Sequence, residues 1–362
     1  MRVGSDEAKI KELLQTAHDG GINYIDTAYI YVGNEAALGK GLAALNLRDK
    51  FNIATKLPPY FVKTIEDAER ILATSLSRLQ TDYVDYYLLH MLASPAEWQR
   101  LCELGIREWI AAQKQSGRIR NIGFSYHGNT GNFKDICDVY DWDFTMIQYN
   151  YVDEHTQAGR GGLDYAVEKG IPVIIMEPLR GGHLTKKLPK SAVEIFREAD
   201  ASLSPARWAL RWLWNQPGVM TVLSGMKTPE ELAENIDCAK TSSPEMLTAE
   251  EIDVYTRVTE KMRSENKVPC TVCNYCLPCP RGVDIPMCFD AYNLLGKSAA
   301  IRVFYILRNA DGGAGKCNSC GLCRSRCPQS IDIPAELRRV RRGLEGPLYK
   351  IIRPFVRWIR KI

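Results

Sequence analysis

Short apolar runs alternate with segments of helical periodicity along residues 1–224 of the chain. The runs are nearly continuous and rich in β-branched and aromatic residues, which is typical of parallel strands buried on both faces. They predict strands at 23–26, 51–56, 83–90, 119–125, 144–150, 172–177 and 220–224. Apolar positions three or four residues apart predict helices at 5–19, 64–79, 95–116, 132–138, 162–169, 204–215 and 229–239.

This strict alternation of strands and helices predicts an α/β fold. It fits either a (β/α)8 barrel of the TIM type that lacks one strand or an open doubly wound sheet. No GxGxxG sequence follows the first predicted strand, and this favours the barrel. Further helices are predicted at 248–266, 287–295 and 301–307, and another at 348–362, which we expect Pro354 to interrupt.

Eight of the twelve cysteines fall in two runs, CTVCNYCLPCP from Cys270 and CNSCGLCRSRCP from Cys317. The second run has the spacing of bacterial ferredoxins, in which three thiolates bind one [4Fe–4S] cluster and the fourth binds the other. The first run repeats it with one residue fewer before its last cysteine. The resemblance to a dicluster ferredoxin module implies one cluster on Cys270, Cys273, Cys276 and Cys327, and a second on Cys317, Cys320, Cys323 and Cys279. Structural zinc is the alternative, because CxxC pairs also bind zinc.

The residues after each cysteine run also correspond, because Arg281–Pro286 reads RGVDIP and Gln329–Pro334 reads QSIDIP. We interpret this internal repeat as two halves related by a pseudo-twofold axis. The remaining cysteines, Cys102, Cys137, Cys238 and Cys288, are scattered, and we expect them to be small buried apolar side chains.

Four polar side chains end or closely follow the first three predicted strands. Asp26 ends the first strand, Tyr31 lies five residues on, Lys56 ends the second strand and His90 ends the third. Because the carboxyl ends of parallel barrel strands meet on one face, we expect these side chains to lie together. Reduction of a carbonyl requires a proton on its oxygen, and a phenol beside an ammonium donates one more readily. The carboxylate would hold the ammonium, and the imidazole would orient the carbonyl oxygen.

In this order and context the four residues resemble the catalytic tetrad of the aldo/keto reductase family. The resemblance spans about residues 1–262 and implies a (β/α)8 barrel with hydride transfer between a nicotinamide cofactor, NAD(P)H, and a small-molecule carbonyl or alcohol. The implied catalytic residues are Asp26, Tyr31, Lys56 and His90. The implied cofactor-binding residues are Ser125, Gln148 and Met176 at the nicotinamide, Leu179 with Arg180–Gly182 in the loop that passes the pyrophosphate, and Glu234 and Asn235 at the adenine.

Some positions depart from the family pattern. Tyr126 stands where the family usually has Asn, so one nicotinamide contact changes. Glu231 stands where an Arg often grips the 2′-phosphate, which predicts a slight preference for NADH over NADPH. Met1–Val3 resembles the end of the first barrel strand, so we expect that strand to be truncated and the start codon to be misassigned.

The predicted domains are the reductase barrel at 1–264, a small, mainly α, ferredoxin-like dicluster domain at 265–342 and a basic amphipathic tail at 343–362. Residues 335–362 contain nine Lys or Arg and two Glu, although the net charge of the whole chain is only +4. We expect no nucleic-acid partner. Phe355 and Trp358 among arginines predict peripheral contact with an anionic membrane or an acidic partner. A helix packed on the chain's own surface is the alternative.

The chain has no apolar run of the roughly 18 residues that span a membrane. Because its N-terminus also lacks a signal peptide, we expect it in the cytoplasm, where thiols stay reduced.

The predicted function is that of an aldo/keto reductase-type oxidoreductase with two [4Fe–4S] clusters for electron transfer. Hydride transfer moves two electrons, whereas each cluster moves one, so exchange between them requires a flavin or a redox partner protein. No flavin motif is seen in the sequence. Without such a mediator, the clusters would be structural or regulatory. The alternative is an iron–sulfur electron-transfer protein whose degenerate barrel serves as a scaffold or docking body.

Overall fold

The computed structural model describes residues 7–270, 275–296 and 301–359, and side chains as far as residue 356. The described chain forms two compact units. Unit 1 contains the residues up to Leu179 together with Ser202–Ala249, and unit 2 contains Arg180–Ala201 together with the chain from Glu250 onward. The predicted domain boundaries after 264 and 342 stay predictions, as does the truncated strand at Met1–Val3, which lies outside the described residues.

Unit 1 is built on a seven-stranded parallel sheet whose spatial order follows the sequence. All seven predicted strands are confirmed, with ends that differ by at most two residues. They are β1 (Tyr24–Asp26), β2 (Asn52–Leu57), β3 (Val84–Leu89), β4 (Ile119–Tyr126), β5 (Phe144–Gln148), β6 (Val173–Met176) and β7 (Val219–Val222). In the described part of the chain, β1 and β7 each pair on one side only. A sequential parallel sheet with a helix after each strand is the construction principle of the (β/α)8 barrel.

Helices make up most of the remaining regular structure. They are α1 (Glu7–Asp19), α2 (Asn34–Leu45), α3 (Ile65–Leu79), α4 (Pro95–Glu103), α5 (Ile106–Gln115), α6 (Thr130–Asp138), α7 (Gly159–Glu168), α8 (Lys190–Ala199), α9 (Pro205–Trp214), α10 (Pro229–Lys240), α11 (Ala249–Glu265), α12 (Ile285–Asn293), α13 (Ile301–Asn309), α14 (Ile333–Leu344) and α15 (Pro347–Ile359). Within the sheet, the side chains of Ala54, Leu88, Phe144, Met146 and Ile174 form a buried cluster from four different strands.

The sequence did not predict α2, and the structure shows why its two glycines do not break it. A Cβ on Gly39 would lie 2.4 Å from the backbone oxygen of Arg78, at the end of α3. A Cβ on Gly41 would lie within 3 Å of Leu14 and Ile10 on α1. The glycines therefore allow α2 to pack closely against both neighbouring helices.

Two helix predictions were wrong in detail. The helix expected at 95–116 is divided into α4 and α5, because Gly105 adopts a left-handed conformation with φ of +88°. Pro354 was expected to interrupt the last helix but lies inside α15. Its side chain is exposed, so the carbonyl that loses its helical hydrogen bond, that of the exposed Lys350, faces water.

Unit 2 repeats one local structure after each cysteine run. Asp284 caps α12 by accepting from the backbone N–H of Met287, and Asp332 caps α14 by accepting from that of Ala335. In each case a residue two positions before the cap has a positive φ, Gly282 at +64° and Ser330 at +51°. The apolar residues of both copies are buried in one core, which includes Val283, Ile285, Ile331 and Ile333. The internal repeat read from the sequence is therefore present in the fold.

Among the described residues, no helix combines the length and apolarity that crossing a bilayer requires.

Candidate functional site

A buried lysine lies at the carboxyl end of the sheet. The Lys56 ammonium donates to both carboxylate oxygens of Asp26, at 2.6 and 2.7 Å, and to the backbone oxygen of Thr27 at 2.6 Å. These three acceptors match its three N–H donors. Only 2% of the Lys56 side chain and 12% of the Asp26 side chain are exposed, so solvent screens this ion pair little.

Tyr31 and His90 complete the arrangement. The Lys56 nitrogen lies 5.4 Å from the centre of the Tyr31 ring. The Tyr31 and His90 ring centres are 6.1 Å apart, with their planes nearly perpendicular. The structure thus brings together all four residues that the sequence predicted as a tetrad. Their catalytic roles stay a prediction.

Strand pairing fixes the position of these side chains. Asp26 pairs with Ala54 on β2, and Lys56 pairs with Leu88 on β3, two residues before His90. The chain beyond each strand is also tied to its neighbour, because Thr27 donates to the Ala54 oxygen at 2.9 Å and His90 to the Leu57 oxygen at 2.8 Å. The three strand ends are therefore held in one register.

A second layer of polar residues that the sequence reasoning missed supports the site. Thr27 donates through its hydroxyl to Asn34 at 2.8 Å, at the start of α2. Glu35, also on α2 and almost fully buried, accepts from Thr55 at 2.6 Å and from Arg78 at 3.1 Å. The only sequence signal was a short NE pair after Tyr31, and without α2 it had no structural context.

Tyr24, a second phenol in this region, is chemically unsuited to the role predicted for Tyr31. Burial, and next the Asp26 carboxylate, raise the pKa of Tyr24 well above its ordinary value. Its proton is therefore held tightly at neutral pH.

Two of the expected nicotinamide contacts are buried at neighbouring strand ends. Ser125, at the end of β4, accepts from the backbone N–H of Met91 at 2.8 Å. Gln148, at the end of β5, donates to Asp153 at 2.9 Å and accepts from Gln157. Both side chains thus have protein partners that a cofactor carboxamide would have to join or replace.

The same region contains a neutral histidine. His127 is hydrogen-bonded to Gln157 at 3.0 Å. Burial lowers the pKa of His127 to about 4, while the hydrogen bond to Gln157 acts in the opposite direction. The imidazole is therefore uncharged at neutral pH and adds no positive charge beside Gln148.

Tyr126 does not replace the amide that the family usually has. Its hydroxyl donates to the backbone oxygen of Asn129 at 2.5 Å, and its ring packs among Phe124 and Phe133. Since successive strand residues point to opposite faces, Tyr126 faces away from the side occupied by Ser125. This orientation of Tyr126 is consistent with the sequence expectation that one nicotinamide contact differs from the family pattern.

The remaining predicted cofactor residues are spread over two elements. Met176 pairs with Gln148 in the sheet register, and Leu179 follows three residues later. On α10, Glu234 accepts from Ser204 and Asn235 donates to Ser224 at 2.9 Å. Glu231 accepts from the backbone N–H of Lys227 at 2.9 Å, which places its carboxylate at the start of α10.

Cysteines from both runs meet in unit 2. Cys270, Cys276 and Cys327 line one pocket, together with Gln329 and apolar side chains such as Phe289 and Ile333. These three thiols belong to the first set that the sequence predicted. Cys273, the fourth member, lies outside the described residues.

The second predicted set is also grouped. Burial, followed by the neighbouring thiols of Cys317, Cys279 and Cys320, raises the pKa of Cys323. The Cys317 sulfur accepts from the backbone N–H of Ser319 at 3.4 Å. The Cys279 thiol is therefore close enough to Cys323 to act on it electrostatically, and the crossed arrangement stays a prediction.

The cysteine side chains determine which metal group this region could hold. The described part of the chain contains no group of three or more His, Cys, Asp or Glu residues that could hold a metal ion. Six cysteines of the two runs pack on the apolar core of unit 2. An all-thiolate donor set beside an apolar core suits an iron–sulfur cluster.

The fold and site define a barrel-type α/β oxidoreductase with a lysine–carboxylate pair at the carboxyl edge of its sheet. The model of the aldo/keto reductase family matches residues 2–254. The chain therefore belongs to the aldo/keto reductase family, which confirms the expected oxidoreductase class. This match ends before the first cysteine run.

Known proteins resemble a large part of this chain. An aldo-keto reductase of Mycolicibacterium vanbaalenii is 29% identical over 240 residues, which are 64% of this chain and 78% of the relative. The uncharacterized oxidoreductase YqkF of Bacillus subtilis is 28% identical over 284 residues, 70% of this chain and 88% of the relative.

Solved structures share the fold. The holo form of aldo-keto reductase AKR11C1 from Bacillus halodurans has a TM-score of 0.59 and 26% identity, covering 71% of this chain and 89% of its own. An aldo/keto reductase from Klebsiella pneumoniae in complex with NADP and acetate has a TM-score of 0.57 and 23% identity, covering 70% and 86%.

Proposed function

We propose that the chain transfers hydride between a nicotinamide cofactor and a small-molecule carbonyl or alcohol at the carboxyl edge of the sheet. The observation that carries this proposal is the buried contact of Lys56 with both oxygens of Asp26, beside the ring of Tyr31. When bound, the nicotinamide supplies or accepts the hydride. The NADP-bound Klebsiella structure supports only the fold, because its identity to this chain is 23%.

The four side chains divide the remaining work in this proposal. Tyr31 gives a proton to the carbonyl oxygen during reduction and takes it back during oxidation. Lys56 favours the phenolate left on Tyr31, because its ammonium is close and shielded from water. Asp26 fixes that ammonium in place, and His90 holds the carbonyl oxygen by a hydrogen bond.

Replacement of the proton donor tests the proposal. We expect Tyr31→Phe to lower kcat/KM for nicotinamide-dependent carbonyl reduction by roughly 10²- to 10⁴-fold, the usual contribution of general acid–base catalysis. Steady-state kinetics on a panel of small aldehydes and ketones would measure it. Tyr29→Phe removes a hydroxyl from the same loop and is the matched control, for which little change is expected. If Tyr31→Phe kept wild-type turnover while iron content was unchanged, the electron-carrier alternative would be favoured.

We also propose NADH as the preferred cofactor, although NADPH-bound neighbours exist among solved structures. The carboxylate of Glu231 lies at the start of α10, where a 2′-phosphate would meet a like charge. Lys227 is close enough in sequence to offset part of this repulsion.

The cofactor preference is open to direct titration. A like charge at about 4 Å costs about 1 kcal/mol even in water, so we expect the Kd for NADH to be roughly fivefold tighter. Glu231→Gln should remove most of the difference, whereas Glu230→Gln, an exposed change one residue away, should not. Tighter binding of NADPH to the unmodified chain would overturn the proposal.

We also propose that unit 2 holds two [4Fe–4S] clusters, one on each crossed set of cysteines. When bound, each cluster would accept or release one electron. Support comes from the two runs and from the grouping of Cys327 with the first set and Cys279 with the second. A flavin or redox partner that would connect one-electron and hydride chemistry stays a prediction, as does the cytoplasmic location.

Metal analysis of an air-free preparation tests the clusters. We expect about eight iron and eight sulfide per chain, as two cubanes require. Cys279→Ser should lower iron toward four and leave the set with Cys327 occupied, whereas Cys102→Ser, a half-buried cysteine outside both runs, should keep eight. A colourless preparation that contains zinc would refute this assignment.

Helix α15 suggests a surface for an anionic membrane. One face packs on α13, where Tyr349 donates to the Asn309 oxygen at 3.1 Å and Arg353 to the Ala310 oxygen at 2.8 Å. The opposite face exposes 74% of Ile351 and 61% of Phe355. The helix therefore packs on its own chain, as one sequence interpretation expected, and still presents an apolar face. Apolar side chains in a basic segment complement anionic lipid. The Trp358 side chain lies outside the described ones.

Vesicle sedimentation tests this surface. We expect binding to vesicles with anionic lipid that weakens with salt and is absent with purely zwitterionic vesicles. Ile351→Glu/Phe355→Glu should abolish it, because two carboxylates would enter the apolar layer. Ile252→Glu, at an exposed apolar position on α11, is the control and should bind normally. Equal recovery of all variants in the supernatant would exclude a lipid surface and leave an acidic protein as the occupant.

A further inference from the structure

Unit 2 contains a buried arginine beside the first cysteine pocket. Arg180 is only 5% exposed. Its guanidinium donates to the backbone oxygen of Pro269 at 3.2 Å and to the side-chain oxygen of Gln329 at 3.5 Å. Pro269 immediately precedes Cys270, and Gln329 itself lines the pocket that contains Cys270 and Cys327. The cation is thus hydrogen-bonded to both chain segments that bring thiols to this pocket.

The backbone at this position is unusual. Arg180 has a φ of +49°, and the two glycines that follow are also left-handed, at +62° and +88°. A non-glycine residue in this region carries local strain and persists where the surrounding structure holds it there. The turn directs a long, charged side chain into the interior at a cost in backbone energy, which indicates that the interior position matters.

Among the basic residues of this segment, Arg180 carries its charge in a buried position. Burial, then Lys187 and Arg180, lower the pKa of His183 to about 4, so its imidazole is neutral at neutral pH. Lys187 is exposed to solvent, where its field is screened. A guanidinium stays protonated in proteins, and a buried one is stabilised by an anionic group nearby.

We propose that Arg180 compensates the negative charge of the thiolate-bound group in the first pocket and thereby raises the reduction potential of that cluster alone. This inference rests on the proposed clusters. Four thiolates give a [4Fe–4S] centre a net negative charge, and reduction adds one electron more. The potential of such a centre depends on net charge, hydrogen bonds and solvent exposure. A fixed buried cation therefore favours the reduced form. We assign Arg180 no role at the second cysteine set.

A redox titration monitored by EPR, with dithionite as the electron source, tests the proposal on the full chain. We expect Arg180→Gln to affect one of the two centres. At a fixed potential, its ratio of reduced to oxidised cluster should fall at least tenfold. For a one-electron couple, this change corresponds to a reduction potential lowered by about 59 mV. The other centre should be unchanged. Arg180→Lys keeps the charge and should stay within threefold of the unmodified chain. Arg326→Gln removes an exposed charge next to Cys327 and is the matched control, also expected within threefold.

The outcomes separate this inference from the proposed function. Fewer than eight irons in the unmodified chain would mean that the cluster assignment itself is wrong. Eight irons in both the unmodified chain and Arg180→Gln, with equal potentials, would overturn only the role of Arg180. If the Arg180→Gln variant lost iron while the Arg180→Lys variant kept eight irons per chain, a requirement for positive charge at this position would be supported. Loss of iron from both variants would overturn the electrostatic role, because a shape-specific contact would then explain the loss.

Discussion

The barrel depends on one buried ion pair, that of Lys56 with Asp26. An ammonium with almost no exposure is strongly destabilised unless all its protons find acceptors and its charge is matched. Asp26 supplies two of the acceptors and the backbone of Thr27 the third. These groups come from adjacent strand ends, so the pair forms only when β1 and β2 are in the observed register. The register of the sheet therefore also fixes the positions of the charged groups in the site.

Support for this ion pair reaches beyond the strands. The Thr27 loop is tied to Asn34, and the neighbouring Glu35 binds Thr55 on the strand that carries Lys56. Both partners belong to α2, which packs closely on its neighbours through glycines. The loop that contains Tyr31 thus runs between two anchored points, a strand end and a helix start. A phenol held in this way needs little reorganisation before it donates a proton, which is how preorganised sites lower a barrier.

Much of this arrangement could be predicted from sequence, for identifiable reasons. Buried parallel strands give continuous apolar runs, so all seven strands were found, and residues at their ends had to converge. The resemblance to a dicluster ferredoxin module implied a crossed grouping of Cys279 and Cys327, which stays a prediction. Features that depend on tertiary packing were not predicted. Helix α2 was not predicted, and the close approach of Gly39 to the Arg78 backbone is visible only in the fold. The burial of Arg180 was not predicted either, because the family resemblance assigned Arg180–Gly182 only to the loop that passes the pyrophosphate.

The proposed hydride transfer and the proposed cluster chemistry move different numbers of electrons in one step. This difference bears on the proposed role of Arg180. A hydride carries a pair, whereas two clusters together accept two electrons only one at a time. If the two clusters had equal reduction potentials, both would be reduced over the same range of potential, and unit 2 would hold two electrons. Under the proposed role of Arg180, the two potentials are unequal and the cluster beside this cation is reduced first. The proposal therefore implies stepwise single-electron exchange, and coupling to hydride chemistry then requires a group that accepts electrons both singly and in pairs.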